Sequence, residues 1–273
     1  MRTNLIPKEK PVTVEEKPVE VKEKPKKGKK TKASTDDGLL DYVIAFDTTG
    51  SMLSYIEAVR EYVKELIKDL LSTNPNLRIG VVAFGDYCDM KSDTEFGKAY
   101  QWINLTRNEK ALINFVKKAQ NTYGGDFNEF YELVIKKITE EFDWRPEAKK
   151  AVLLIADAFP HEVGYTYYTR VIDNQIDWKE EATKSAAKGI QWDTLTCGYY
   201  GCGWREELSK ITGGIHNPFQ TSDKTSEVVK AAAYSRGGDY TKTLFTATMG
   251  NVISSGDTEL AAVYSAYSKK LTD

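Results

Sequence analysis

Leu39-Leu-Asp-Tyr-Val-Ile-Ala-Phe-Asp-Thr-Thr-Gly-Ser-Met52 is the stretch that decides the fold. Its first eight residues are mostly apolar and rich in side chains that favour strands, and they run into Asp47 and a turn at Gly50. A short apolar run closed by a turn signal is the pattern of a strand buried on both faces. Beyond the turn, Ile56, Val59, Val63, Ile67 and Leu70 recur at helical spacing with Glu and Lys between them. That spacing predicts one amphipathic helix from about residue 51 to 71, which Asn74-Pro75-Asn76 would end.

The alternation continues along the chain. Leu77 to Phe84 is a second apolar strand, and Tyr100 to Leu105 a shorter one suited to a sheet edge. Helices are expected at about 108–119 and 128–142, and Ala151 to Ala156 is the most apolar strand candidate. A helix at about 175–188 precedes a strand from Ile190 to Thr196. A short helix at 204–211, a strand from about 214 to 219 and a helix at 223–234 complete the series. This order predicts an α/β, Rossmann-like, doubly wound and mostly parallel sheet of about six strands, with helices on both faces. Residues 38–236 would form that domain. Residues 237–273 fit the pattern poorly and are expected to be a C-terminal extension with a final helix at about 257–270.

The 273 residues carry 38 basic and 40 acidic side chains, a formal charge of -2. The balance is uneven, because residues 1–37 hold eleven Lys/Arg against seven Asp/Glu, a net +4 that leaves -6 for the rest. This segment has four prolines and no aromatic residue, so it is expected to be a disordered tail or linker that cannot bury enough apolar surface to offset chain entropy. Its interspersed Glu residues argue against a phosphate-tracking patch, so nucleic acid is not an expected partner. Cys88, Cys197 and Cys202 are too sparse for a disulfide framework, which fits a reducing, cytoplasmic setting. No apolar run is long enough to span a bilayer, and no membrane partner is expected.

In a sheet of this kind the loops after the strands converge on one edge. Three acidic loops follow predicted strands: Asp47-Thr-Thr-Gly-Ser51, Asp86-Tyr-Cys-Asp89 and Asp157-Ala-Phe-Pro-His161. A fourth, Gly124-Gly-Asp-Phe-Asn-Glu129, opens a helix. Clustered carboxylates repel unless a cation neutralises them, and hydroxyl and carboxylate oxygens without thiolates suit a hard ion, Mg²⁺ first and Mn²⁺ behind it. In Asp47-x-Thr49-x-Ser51 a strand-to-helix turn can aim alternate side chains at one point, with Gly50 giving the tight backbone.

Asp47-Thr-Thr-Gly-Ser-Met52 after an apolar strand resembles the DxSxS element of the metal-ion-dependent adhesion site in von Willebrand factor A domains. The other elements follow in family order. Gly124-Gly125-Asp126 with Glu129 resembles the GGDxPE variant of the third-loop element, and Leu154-Ile-Ala-Asp-Ala-Phe-Pro-His161 the strand and loop carrying the family's final Asp. Glu206-Glu-Leu-Ser-Lys-Ile-Thr-Gly-Gly214 resembles the last-helix signature, so the likeness covers roughly residues 38–236 and is closest to an intracellular subgroup. The resemblance implies that Thr49 and Ser51 coordinate the metal through hydroxyls, while Asp47 and Asp157 hold it through water or as outer acceptors. It implies an open coordination position for a partner protein's carboxylate. Two departures stand out: Thr49 replaces the usual Ser, and Asp126 replaces the third-loop Thr, adding a negative charge expected to tighten metal binding and weaken capture of an anionic group. The expected metal set is Asp47, Thr49, Ser51, Asp126 and Asp157.

Plainer roles compete for several of these residues. Asp126 with Glu129 would also serve as a helix N-cap and its box partner. Asp86 and Asp89 are expected to be solvated or to support the site, His161 and His216 to be structural, and the cysteines to be idle thiols rather than zinc ligands. Gly28-Lys-Lys-Thr31 lacks the spacing of a phosphate loop. The expected function is therefore a divalent-metal-dependent module that binds a protein partner at the metal edge, not an enzyme. No nucleophile–base arrangement supports the alternative, a Mg-dependent hydrolase or phosphotransferase, and the other alternative, nucleic-acid binding through the tail, would need the mixed tail to act as a cation patch.

Overall fold

The computed structural model describes residues 38–91, 95–167, 170–171, 175–197, 202–218, 224–236 and 239–272. The expected tail, residues 1–37, lies outside them. Six strands form the central sheet: β1 (Leu40–Asp47), β2 (Leu77–Phe84), β3 (Tyr100–Thr106), β4 (Lys149–Ala156), β5 (Ile190–Thr196) and β6 (His216–Pro218). Their spatial order is β6-β5-β4-β1-β2-β3, with every pair parallel except β2 with β3. This is the doubly wound order, in which the chain works outward from β1 to one side and then from β4 to the other. β3 runs antiparallel because the described residues between it and β2, 85–91 and 95–99, hold only loop and two short 3₁₀ turns, Tyr87–Asp89 and Gly97–Ala99, in place of a crossover helix.

Side chains alternate across the strands and build two cores. Tyr42, Ile44 and Phe46 of β1 face one way, joined by Val81 of β2 and Leu153 of β4, which flank Ile44 in register. Helices α1 (Leu53–Thr73), α2 (Glu109–Lys118), α6 (Thr225–Arg236), α7 (Asp239–Ser255) and α8 (Thr258–Thr272) contribute to that face. Val43 and Ala45 face the other way, where α3 (Tyr131–Glu141), α4 (Trp178–Ala187) and α5 (Cys202–Thr212) close over Trp192 and Val152. A strand covered on both faces needs apolar side chains through its middle, which explains the unbroken apolar runs Tyr42–Phe46 of β1 and Ala151–Ala156 of β4.

Residues 239–272 belong to the first core. Phe245 of α7 and Tyr264 and Tyr267 of α8 are fully buried in the same cluster as Val228 and Ala232 of α6. α8 lies where the final helix was expected, whereas α7 had no expectation. Its threonines explain why: Thr246 and Thr248 turn their hydroxyls back onto the carbonyls of Lys242 and Leu244, a habit that makes such residues poor helix signals. The helix expected at 128–142 begins later, at Tyr131, because Asn128 and Glu129 pair as a two-residue strand with Phe159 and Pro160.

Candidate functional site

The carboxyl ends of β1, β2 and β4 bring the acidic loops that begin at Asp47, Asp86 and Asp157 to one edge, and loop 119–129 joins them. Main-chain bonds lace these loops together. Thr48 donates its amide and its hydroxyl to the Phe84 carbonyl at the end of β2, both at 2.7 Å. The Thr48 carbonyl accepts from the Thr122 amide at 2.9 Å, and the two threonine hydroxyls lie 2.8 Å apart. Gly85 and Gly124 make the fit possible. A methyl on Gly85 would lie 2.4 Å from Thr122 Oγ1, and Gly124, at φ +70°, packs against both Thr49 and the Glu129 carboxyl.

Asp47, Thr49, Ser51 and Asp157 are brought together. The Thr49 hydroxyl donates to Asp47 Oδ1 at 2.7 Å, and its amide reaches the same oxygen at 2.8 Å. The Ser51 hydroxyl lies 3.4 Å from that of Thr49 and donates to the Asp157 carboxylate. Asp47 is fully buried, so dehydration, with the charge of Asp157 adding to it, pushes its pKa up, and hydrogen bonds from Tyr131 and Thr49 pull back only part of the way. Asp157 is raised by burial, offset by the Ser51 hydroxyl and by the positive charge of Arg205.

Asp126 is placed differently from the other four. It is exposed, accepting from the Asn128 amide at 2.8 Å and from the Tyr165 hydroxyl at 3.1 Å. Nor is it a helix cap, since α3 starts at Tyr131 with Phe130 in the cap position. The acid of this loop that feels the cluster is Glu129, whose pKa is driven up by burial and then by Asp47, Asp86, Asp89 and Asp157. Asp86 and Asp89 are not solvated. Asp86 meets His161 Nε2 at 2.7 Å, and Asp89 accepts from the amides of Tyr123 and Gly124 at 2.8 and 3.1 Å, fixing loop 119–129 in place.

Two site residues left no trace in the sequence motifs. The Tyr131 hydroxyl donates to Asp47 Oδ2 at 2.5 Å and accepts from the Ala158 amide at 3.3 Å. Arg205, fully buried at the start of α5, donates to the Ala158 carbonyl at 2.7 Å and to Thr196 Oγ1 at 3.0 Å, while Trp204 Nε1 shares that carbonyl at 3.0 Å. The available signals were an aromatic hydroxyl just after the third-loop Glu and a lone Arg between apolar helix positions. His216 is structural, its Nδ1 lying 2.8 Å from Thr194 Oγ1.

What this edge offers a cation is an oxygen set. Asp157 Oδ1 and Glu129 Oε2 are buried with no hydrogen-bond partner among the described residues, beside the two adjacent hydroxyls. Buried acids that resist ionisation are stabilised by a divalent ion, so hydroxyl and carboxylate oxygens here fit a hard cation. Among the described residues no group of three or more His, Cys, Asp or Glu side chains is arranged to hold a metal by itself. The Thr49 and Ser51 hydroxyls would therefore have to complete any such set.

The family model for the von Willebrand factor type A domain matches residues 41–252. The chain belongs to that family. Its match runs through most of α7. A putative ariadne-like RING finger protein of Acanthamoeba polyphaga mimivirus is 24% identical over 163 residues, 57% of this chain and 15% of that protein. The open-conformation pilus adhesin SpaC from Lactobacillus rhamnosus GG superposes with a TM-score of 0.53 at 16% identity, over 71% of this chain and 29% of the adhesin. Proximal thread matrix protein 1 from the mussel byssus gives 0.54 at 15% identity, over 72% of this chain and 48% of that one. These two structures share the fold, and this von Willebrand A chain spans only a part of each relative. Domains of this family commonly mediate protein interactions, and no helix among the described residues is long and apolar enough to cross a membrane.

Proposed function

We propose that this domain binds a protein partner at the carboxyl edge of its sheet, with Mg²⁺ or Mn²⁺ held by Thr49 and Ser51 and by Asp47 and Asp157. The observation that carries this is the border of the acid–hydroxyl cluster. Of six large apolar side chains exposed among the described residues, five lie at this edge: Tyr123 and Phe127 in loop 119–129, Phe159 and Val163 after β4, and Leu53 at the start of α1. An apolar rim around a polar centre is the arrangement of a docking surface, and aromatic residues supply much of the contact energy in such surfaces.

A bound divalent ion would supply positive charge and a coordination position for an acidic group of the partner. The chain's own residues prepare for it. Tyr131 and the Thr49 amide fix the Asp47 carboxylate, Arg205 and Trp204 fix the loop behind Asp157, and Asp89 fixes the backbone of Tyr123 and Gly124. Asp126 contributes negative charge and loop shape, since its oxygens already accept two hydrogen bonds. This is a binding role without turnover, in a cytoplasmic setting.

Calorimetric titration of metal-stripped protein with Mg²⁺ and Mn²⁺ tests the proposal. Saturable binding should be lost in Asp47→Ala and Asp157→Ala and retained in Asp126→Thr. Folded wild-type protein that takes up neither ion would overturn the metal site. Replacing Tyr123 and Phe127 by Ser should leave metal binding intact and weaken partner capture.

A further inference from the structure

We propose that a cavity at the opposite end of the sheet, where β4 and β5 begin, binds a small organic phosphate. The cavity holds about 450 Å³ between those strand starts and helices α6, α7 and α8. Four basic residues line it, Lys149, Lys150, Arg236 and Lys242, together with the apolar surfaces of Ile215 and Tyr267. An eight-residue strand separates it by roughly 25 Å from the acid–hydroxyl cluster, so the inference is independent of the metal edge.

The charges are arranged unequally. Arg236 is already neutralised, because the buried Asp193 carboxylate pairs with its guanidinium and Gln191 accepts another of its N–H groups. Asp193 is thereby spent and cannot serve the lysines. Lys150 alternates with Lys149 and Ala151, so its ammonium turns to the opposite face of the sheet, donating to the carbonyls of Pro146 and Lys188 at 3.3 and 3.2 Å, and only its stem and backbone border the cavity. Neither Lys149 nor Lys242 has an ion-pair partner among the described residues. Lys149 and Lys242 stand at one cavity with no carboxylate to share among the described side chains, and an anion between them relieves their mutual repulsion.

Phosphate suits this set better than carboxylate. Lysine recognises phosphate as a point charge, whereas carboxylates are best matched by a free arginine fork, and the one arginine here is engaged. A phosphate monoester carries close to two negative charges at neutral pH, enough to satisfy two lysines. The volume is that of a small-molecule site, far more than a bare ion fills, and the Tyr267 and Ile215 surfaces would pack against an organic body.

The test is calorimetry of the full chain in EDTA at low ionic strength, with ADP, inorganic phosphate and adenosine as probes. ADP should bind one to one, phosphate more weakly, and adenosine not at all. Lys149→Gln combined with Lys242→Gln should weaken ADP binding by about tenfold or more. Asp157→Ala and the paired control Lys117→Gln with Lys118→Gln, on the exposed face of α2, should leave it unchanged. If the double variant fails to fold, Lys149→Glu, at an exposed position, must show the same loss. Absence of ADP binding, an equal loss in the α2 control, or phosphate binding as tightly as ADP overturns the proposal.

Discussion

Asp41, at the start of β1, is a wholly buried acid held by two arginines. It accepts from Arg78 Nε and Nη2 at 2.9 and 2.7 Å, and from the Arg145 amide and Nε at 2.8 and 2.9 Å. Burial alone would raise its pKa, but the hydrogen bonds and charge of the arginines outweigh it and hold it below the ordinary aspartate value of 3.8. A folded pKa below the unfolded one means stability fully present above 3.8 and lost as pH falls through the folded value. Asp41→Asn should therefore cost about 3 kcal/mol at pH 7, and its deficit should shrink at pH 3; urea denaturation at both pH values checks this, and an equal deficit at both would remove charge as the cause. At this scale Asp47, Thr49, Ser51 and Asp157 were legible because strand, turn and helix fix their positions locally. Tyr131 was not, because its bond to Asp47 joins residues 84 apart, and no local pattern encodes that meeting.

Strand positions were legible wherever burial on both faces forced a mostly apolar run, as in β2, which is apolar but for Arg78 and whose ends fall where the run ends. Helix starts were less so: the first residues of the expected third helix pair as a strand instead, a tertiary contact that local propensity does not register. The passage from α5 into β6 depends on one close approach. A methyl on Gly214 would stand 1.8 Å from the Trp192 carbonyl oxygen in the neighbouring strand, and 2.4 Å from its carbon. Gly214→Ala must push α5 away from the sheet and should destabilise the domain by about 3 kcal/mol. Thermal unfolding measures it; an unchanged midpoint would mean that the turn yields without cost.

Across the whole molecule, the six-strand doubly wound sheet was readable from alternation alone, whereas the attachment of residues 239–272 was not. Their apolar side chains are sparse and interrupted by threonines, yet Phe245, Tyr264 and Tyr267 complete a core begun by β1. A chain ending at residue 238 should lose cooperative unfolding and bind a hydrophobic dye, because α6 would be stripped on one side; a truncated protein melting like the full chain would show the two helices to be dispensable. The central place of β1 has a mechanical consequence. Parallel neighbours grip it on both sides through β2 and β4, and Tyr267 of α8 sits close to Tyr42 near its beginning. Tension applied between residue 38 and the end of α8 would pull β1 lengthwise, shearing both hydrogen-bond ladders at once instead of opening them one rung at a time, the geometry of a fastener that resists force.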